Sequence, residues 1–161
     1  MKYIGYFNVE SNSIYITDPC YDPPTKNSKN NCELAIPNGV WFAYTKESCY
    51  TKNAELLISK TKFNDNYNWE KLTSIAVDSG QAGFFDSKHY NNDDDVDNYR
   101  LADFGDDYTK WYKMVCHITI EKGCDVIPFG VVSRSGHGDG KYKVYISKNN
   151  SLVNAVKIIF N

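Results

Sequence analysis

Acidic, hydroxyl and glycine residues are concentrated in three loops, each of which follows a short apolar strand in the sequence. The loops cover residues 17–21, 78–83 and 133–140. Binding side chains are common in such places, because a rigid sheet positions the loops that leave its strands. If the three loops meet, we expect one pocket with the following ligand-binding candidates: Asp18, Tyr21, Asp78, Ser79, Gly80, Arg134, Ser135, His137, Asp139 and Tyr142.

The third loop is the sharpest local feature, because Gly136, Gly138 and Gly140 alternate along it. Glycine adopts positive φ readily, so successive backbone N–H groups can turn towards an anion. The same spacing is typical of a tight turn between two strands, with Asp139 and Gly140 at its corner. A nucleotide phosphate loop is excluded, since the Lys-Ser/Thr ending and the following helix are both absent.

Non-catalytic binding is the function that these loops favour. Glycine backbone, serine hydroxyls and Arg134 suit a small polar or anionic ligand, such as a nucleotide-like molecule, or a partner protein. Tyr21, Tyr142 and Trp41 offer ring faces for stacking. A protein that inhibits a partner through its surface is a further possibility, and it would show an exposed aromatic patch without a pocket.

The alternative is a metal-assisted hydrolase or phosphoesterase that uses the same loops. Asp18, Asp78, Asp139 and His137 carry the carboxylate and imidazole groups with which a divalent ion is held while it activates water. The sequence assigns no catalytic residue, cofactor or metal site.

Three other motifs in the chain are incomplete. The sequence His117-Ile118-Thr119 is one His-x-Thr half of a two-histidine phosphoesterase, and the second half is missing. The acidic run of residues 91–98 starts like an EF-hand but lacks its glycine and its final glutamate, so we expect a solvated loop, with a loosely held divalent ion near Asp93 to Asp97 as the alternative. Nothing local supports a thiolate nucleophile at Cys20 or Cys116.

Composition limits the partners and the compartment. The 161 residues suit a single domain, 1–161, and the net charge of −2 gives no basic excess for general nucleic-acid binding. The five cysteines are odd in number and include no Cys-x-x-Cys pair, which favours free thiols in a reducing compartment. With no signal peptide and no long apolar run, we expect a cytoplasmic protein without membrane contact, in a bacterium or a virus-infected cell.

The apolar pattern predicts an α+β fold, mainly an antiparallel β-sheet arranged as a sandwich or half-barrel, with one principal amphipathic helix near 106–116. Three hairpins are expected, joining residues 3–9 to 14–16, 40–45 to 54–59, and 142–146 to 152–160. The helix should begin at Asp106 or Asp107 and pack against the sheet by a face of four residues, Tyr108, Trp111, Tyr112 and Val115.

The three loops also carry a family resemblance. The segments in question are Thr17-Asp18-Pro19-Cys20-Tyr21, Val77-Asp78-Ser79-Gly80-Gln81-Ala82-Gly83, and Ser133-Arg134-Ser135-Gly136-His137-Gly138-Asp139-Gly140-Lys141-Tyr142. In this order they resemble a family of small bacterial and phage proteins with a domain of unknown function, which carries TDPCY and SGxGDGxYPVY segments. The chain departs from the SGxGDGxYPVY segment at Lys143, where the family has proline. The resemblance implies a compact β-rich domain and three loops that work together, and it transfers no catalytic residue.

Overall fold

The computed structural model describes residues 1–47, 53–98, 100–103 and 107–161. In chain order its strands are β1 (Lys2–Val9), β2 (Ser13–Thr17), β3 (Cys32–Ala35), β4 (Gly39–Lys46), β5 (Glu55–Ser59), β6 (Glu70–Val77), β7 (Gln81–Asp86), β8 (Cys124–Ile127), β9 (Gly130–Arg134), β10 (Gly140–Asn149) and β11 (Leu152–Ile159). The helix α1 (Lys110–Glu121) lies between β7 and β8, and a short 3₁₀ turn, Asp93–Asp95, precedes it.

The strands form two antiparallel sheets. The first has the order β1-β4-β5-β11-β10-β6 and the second the order β3-β2-β7-β9-β8. The expected α+β class, dominated by antiparallel strands, is therefore confirmed. Two of the expected hairpins are also confirmed, because β4 pairs with β5 and β10 pairs with β11. The β10–β11 turn places Asn150 and Ser151 at positive φ, as its sequence suggested.

The predicted hairpin between β1 and β2 is wrong. Strand β1 pairs with β4 in the first sheet, whereas β2 pairs with β3 and β7 in the second. Both strands alternate, but their buried side chains, Phe7 and Val9 on one and Ile14 and Ile16 on the other, enter one core from opposite sheets. Period-two alternation shows which face of a strand is buried, but it does not show which other strand pairs with it in the sheet.

The main core lies between the two sheets and includes Trp41, Ile58, Phe84 and Phe160, all completely buried. Trp41 donates its indole N–H to the carbonyl of Pro37 at 2.9 Å. The interpretation of Trp41 as a recognition ring is therefore wrong, because its ring has no face on the surface.

The helix begins later and ends later than predicted. Thr109 is its N-cap, and the Thr109 hydroxyl oxygen accepts a hydrogen bond from the Tyr112 N–H at 3.2 Å. Asp107 precedes this cap, and Asp106 lies outside the described residues. The helix packs on the outer face of the second sheet through Trp111, Met114, Val115 and Ile118, which form a second core with Phe85, Ile127 and Val132. Of the predicted packing face, Trp111 and Val115 are buried, Tyr112 is half-buried, and Tyr108 is 51% exposed and precedes the helix.

The two sheets approach each other along both long sides. On one side β1 lies against β8, so closely that a Cβ on Gly5 would come within 2.8 Å of Val126 Cγ2. On the other side the Ala76 N–H in β6 donates to the carbonyl of Asn30, two residues before β3, at 2.8 Å. None of the helices in the described ranges is long and apolar enough to cross a membrane.

Candidate functional site

The three predicted loops lie side by side at one end of the sandwich, and the completely buried carboxylate of Asp18 holds two of them together. Its Oδ2 accepts from the backbone N–H groups of Asp78 and Ser79, at 2.8 and 2.7 Å. Its Oδ1 accepts from the Cys20 N–H at 2.8 Å and from the Ser79 hydroxyl at 2.5 Å. The Tyr21 hydroxyl adds a hydrogen bond to the carboxylate of Asp78. Asp18 thus positions loop backbone, and four protein donors occupy its oxygens.

The glycine loop joins the cluster through its own backbone. It carries the chain from β9 in the second sheet to β10 in the first, and the Ser135 N–H donates to the Gly80 carbonyl at 3.0 Å. The carbonyl of Gly138 accepts from two hydroxyls, those of Ser135 at 2.6 Å and Tyr142 at 2.7 Å. Gly138 has a φ of 94°, which side chains rarely tolerate. The loop is therefore a turn between sheets that is fixed by a buried serine and a buried tyrosine.

Several predicted binding side chains have structural roles. Tyr142 and Ser135 are buried, so Tyr142 offers no stacking face, contrary to the sequence interpretation. Arg134 donates from Nε to the Thr119 carbonyl at 2.5 Å and from Nη2 to the Ile120 carbonyl at 2.7 Å. It caps the C-terminal end of α1 and is not directed at the loop cluster. Asp78, His137 and Asp139 remain exposed at the surface of the cluster.

The hydrolase alternative gains no support from this geometry. Asp18 is saturated by protein donors, and across the described ranges no carboxylate oxygen lies within 4.0 Å of a His137 nitrogen, since every ion pair of His found there involves His89. No group of three or more His, Cys, Asp or Glu side chains in the part of the chain that the structure describes is arranged to hold a metal ion.

A groove of about 500 Å³ opens where α1 meets the loop cluster. Its lining residues are Ser79, Gln81, Tyr108, Tyr112, Cys116, Thr119 and Ile120. The floor is polar and buried: the Thr119 hydroxyl donates to Gln81 Oε1 at 2.8 Å, and Gln81 Nε2 donates to Cys116 Sγ at 3.4 Å. One wall is aromatic, because the rings of Tyr108 and Tyr112 stack with centroids 5.5 Å apart.

A smaller pocket of about 220 Å³ is also lined by Tyr108 and Tyr112. Its lining residues are Pro19, Cys20, Tyr21, Asp22, Asn91, Asp107, Tyr108, Thr109 and Tyr112. The larger groove and this pocket therefore share one aromatic wall and both border the predicted loops. We refer to them as the helix groove and the side pocket.

Two thiols and a phenol that line the cavities, those of Cys20, Cys116 and Tyr112, stay protonated. Burial, with the nearby Asp18 carboxylate, raises the pKa of the Cys20 thiol to about 12. Burial also raises the pKa of Cys116. The phenol of Tyr112 has a raised pKa because of burial and of the neighbouring Cys116. Neutral thiols and phenols donate hydrogen bonds and are poor nucleophiles, so the geometry suits binding better than covalent catalysis.

The acidic run beside the side pocket is bound to protein groups. Asp93 Oδ1 accepts the backbone N–H of Trp111 at 2.9 Å, and Arg100 Nε donates to Asp97 at 2.9 Å. Asp95 pairs with His89, whose Nδ1 lies 2.7 Å from Asp95 Oδ2. Asp93 and Asp95 attach the segment to the N-terminus of α1 and to His89, and no residue of the 3₁₀ turn Asp93–Asp95 is buried, in agreement with the predicted solvated loop.

His89 makes stability pH-dependent through this attachment. Burial alone lowers its pKa, but hydrogen bonds to Glu10 and Asp95 outweigh burial and raise the pKa. The folded state therefore favours imidazolium, and its stabilisation is complete below the ordinary histidine pKa of about 6.5 and lost as pH rises through the raised value. We expect wild type to lose its stability advantage over His89→Gln between about pH 5.5 and about pH 8.5, as measured by urea unfolding. The exposed His137→Gln is the control, and an advantage that grows with pH would contradict the assignment.

Comparison of the sequence with family models and with curated proteins, and of the fold with solved structures, finds no match. The resemblance to the small bacterial and phage family and the cytoplasmic location stay predictions.

Sequence reasoning found the loops but missed the groove. Thr119 and Gln81 form its floor although they lie 38 residues apart in sequence, and only Ser79 of its lining was among the predicted site residues. Extending the helix by one turn from the 3.6-residue period would have placed Cys116, Thr119 and Ile120 on one side of it.

Proposed function

We propose that this protein is a non-catalytic binding module that holds a small polar ligand in the helix groove. The observation that carries the proposal is the groove itself: about 500 Å³, with a buried polar floor, an aromatic wall and the fixed loop cluster at its edge. Cavities of this size with a few placed polar groups are the usual form of small-molecule sites.

The floor is suited to a ligand that accepts and donates hydrogen bonds. Gln81 Nε2 carries two N–H groups, and its bond to Cys116 Sγ uses one of them. The Ser79 backbone and hydroxyl are fixed by Asp18, so this edge of the groove is already ordered before a ligand arrives. Such preorganisation lowers the entropic cost of binding.

The charge of the lining favours a neutral ligand over an anionic one. Among the described residues, neither the helix groove nor the side pocket is lined by lysine or arginine. Arg134, the cation that the sequence offered, is bound to the end of α1. We therefore narrow the expected ligand from polar or anionic to polar and uncharged in the groove, and a nucleoside fits better than a nucleotide. A partner protein would have to insert a polar, uncharged side chain into the helix groove.

Binding in the groove is tested by blocking it. Ile120 is 52% exposed at the groove, so Ile120→Trp is expected to fill the mouth while leaving the core intact. Leu152→Trp, at a position 61% exposed beside the β10–β11 turn, is the matched control. Against a panel of nucleosides, nucleotides and neutral heterocycles, we expect ligand-dependent rises in Tm for wild type and Leu152→Trp that Ile120→Trp loses. Equal responses of all three proteins, or no response of wild type to any compound, would contradict the proposal.

A further inference from the structure

The side pocket differs from the helix groove in its charge. Two of its lining residues, Asp22 and Asp107, are exposed aspartates, and no basic residue of the described chain lines it. We propose that the side pocket is a subsite for an organic cation, namely the alkylammonium head of the ligand whose body lies in the helix groove. The proposal rests on the proposed function and adds the chemical class of one end of the ligand.

Aromatic rings form the walls of this subsite. Tyr21, Tyr108 and Tyr112 line it, and the last two are stacked against each other. The face of a tyrosine ring carries negative electrostatic potential, which attracts a cation within about 6 Å of its centre. Rings also replace water around alkyl groups, which a methylated ammonium carries and an inorganic ion lacks.

The two carboxylates are not neutralised by the protein. Neither Asp22 nor Asp107 forms an ion pair with any lysine, arginine or histidine of the described residues, whereas Asp93, Asp95 and Asp97 each have a donor. Two formal negative charges at a mouth bordered by rings favour a positively charged guest.

The N-terminus of α1 borders the same pocket, and three of its backbone N–H groups already have partners in the protein. Thr109 Oγ1 accepts from the Tyr112 N–H, and the Thr109 carbonyl accepts from the Lys113 N–H at 3.1 Å. Asp93 accepts from the Trp111 N–H. An anion would therefore find these helix amides occupied and the two aspartates repelling it, which leaves a cation as the better guest.

The volume of the side pocket is also suited to an alkylammonium group. Its volume of about 220 Å³ is several times that of one water molecule, about 30 Å³ in the liquid. A quaternary ammonium group carries alkyl groups on all four sides of its nitrogen and has no N–H donor. It therefore fills such a space without needing hydrogen bonds from the tyrosines.

The decisive experiment compares choline with 3,3-dimethylbutan-1-ol, in which carbon replaces the charged nitrogen and the shape is kept. Using titrations followed by ¹⁵N NMR, we expect wild type to bind choline roughly tenfold more tightly than the alcohol. The double variant Asp22→Asn, Asp107→Asn should lose most of this preference. Asp65→Asn, which removes one exposed charge from the connection between β5 and β6, outside both cavities, should retain it.

Each outcome decides the inference separately from the proposed function. Equal affinity for choline and the alcohol, no detectable choline binding, or a preference that survives the double variant would each overturn the cation subsite. The proposed function would still stand if neutral compounds bind wild type and are blocked by Ile120→Trp. Conversely, a choline preference lost in the double variant supports the subsite even if every neutral compound fails.

Discussion

Replacing Asp18 with alanine is expected to destabilise the protein by about 4 kcal/mol, which is a large part of the roughly 5–15 kcal/mol by which domains are stable. The substitution removes four hydrogen bonds from a completely buried carboxylate. It leaves the part-buried backbone N–H groups of Cys20, Asp78 and Ser79 without that partner, and a donor left unpaired away from water costs about 1–3 kcal/mol. Because Ser79 lines the helix groove, binding should weaken as well.

Equilibrium urea unfolding measures the effect directly. Asp18→Asn keeps the volume and one acceptor but places an amide N–H₂ against the same donors, so an intermediate loss of about 2 kcal/mol is expected. The control is Asp139→Ala in the neighbouring loop, an exposed carboxylate whose removal should change stability by about 0.5 kcal/mol or less. An Asp18→Ala protein as stable as Asp139→Ala would show that the loops hold their positions without this carboxylate.

Gly83→Ala is expected to be the most damaging single-methyl change, at about 3 kcal/mol, the upper end of the range for an overpacked core. Gly83 lies in β7, the middle strand of the second sheet, opposite Thr17 and Val132. An added Cβ would overlap the Val131 carbonyl oxygen and come within 2.5 Å of Phe85 Cζ. The carbonyl is backbone of the adjacent strand and can move only with it.

Gly138→Ala is the comparison variant, because it introduces an unfavourable backbone conformation without a steric overlap. No atom lies within 4 Å of the added Cβ at Gly138, but its φ of 94° is unfavourable for alanine. A loss of about 1–2 kcal/mol is expected there. Thermal unfolding of the two variants should therefore rank Gly83→Ala below Gly138→Ala, and the reverse order would refute the packing argument.

The fold was predictable to the extent that local patterns determine it. Alternation located most strands and two of the hairpins, β4–β5 and β10–β11, because a hairpin needs only a turn and two half-buried strands. It missed the pairing of β2 with β3 and of β8 with β9. It failed for β1 and β2, since a strand that faces its chain neighbour across a core has the same alternation as one that pairs with it. Phe7 and Ile14 are both buried although their strands lie in different sheets.

The meeting of the three loops was predictable from the sequence, whereas the groove beside them was not. The three loops meet because β6 and β9 each end where the chain crosses to the other sheet, and the sequence signalled those ends with acidic and small residues. The carboxylate of Asp86 shows what the pattern missed. It is completely buried and accepts from the N–H of Glu10 at 2.6 Å, 76 residues away. Whether an aspartate binds a ligand or its own chain depends on such long-range contacts, which spacing does not contain.

The closed sides of the sandwich bear on how the molecule behaves among its own copies. A free strand edge offers unpaired amides and carbonyls that can recruit a strand from another molecule, the first step towards fibrils and precipitates. Here the edge strand β1 lies against β8, and β6 uses the Ala76 amide to bind Asn30. Because the sheets lie against each other at these two sides, intermolecular strand addition there would first have to separate them.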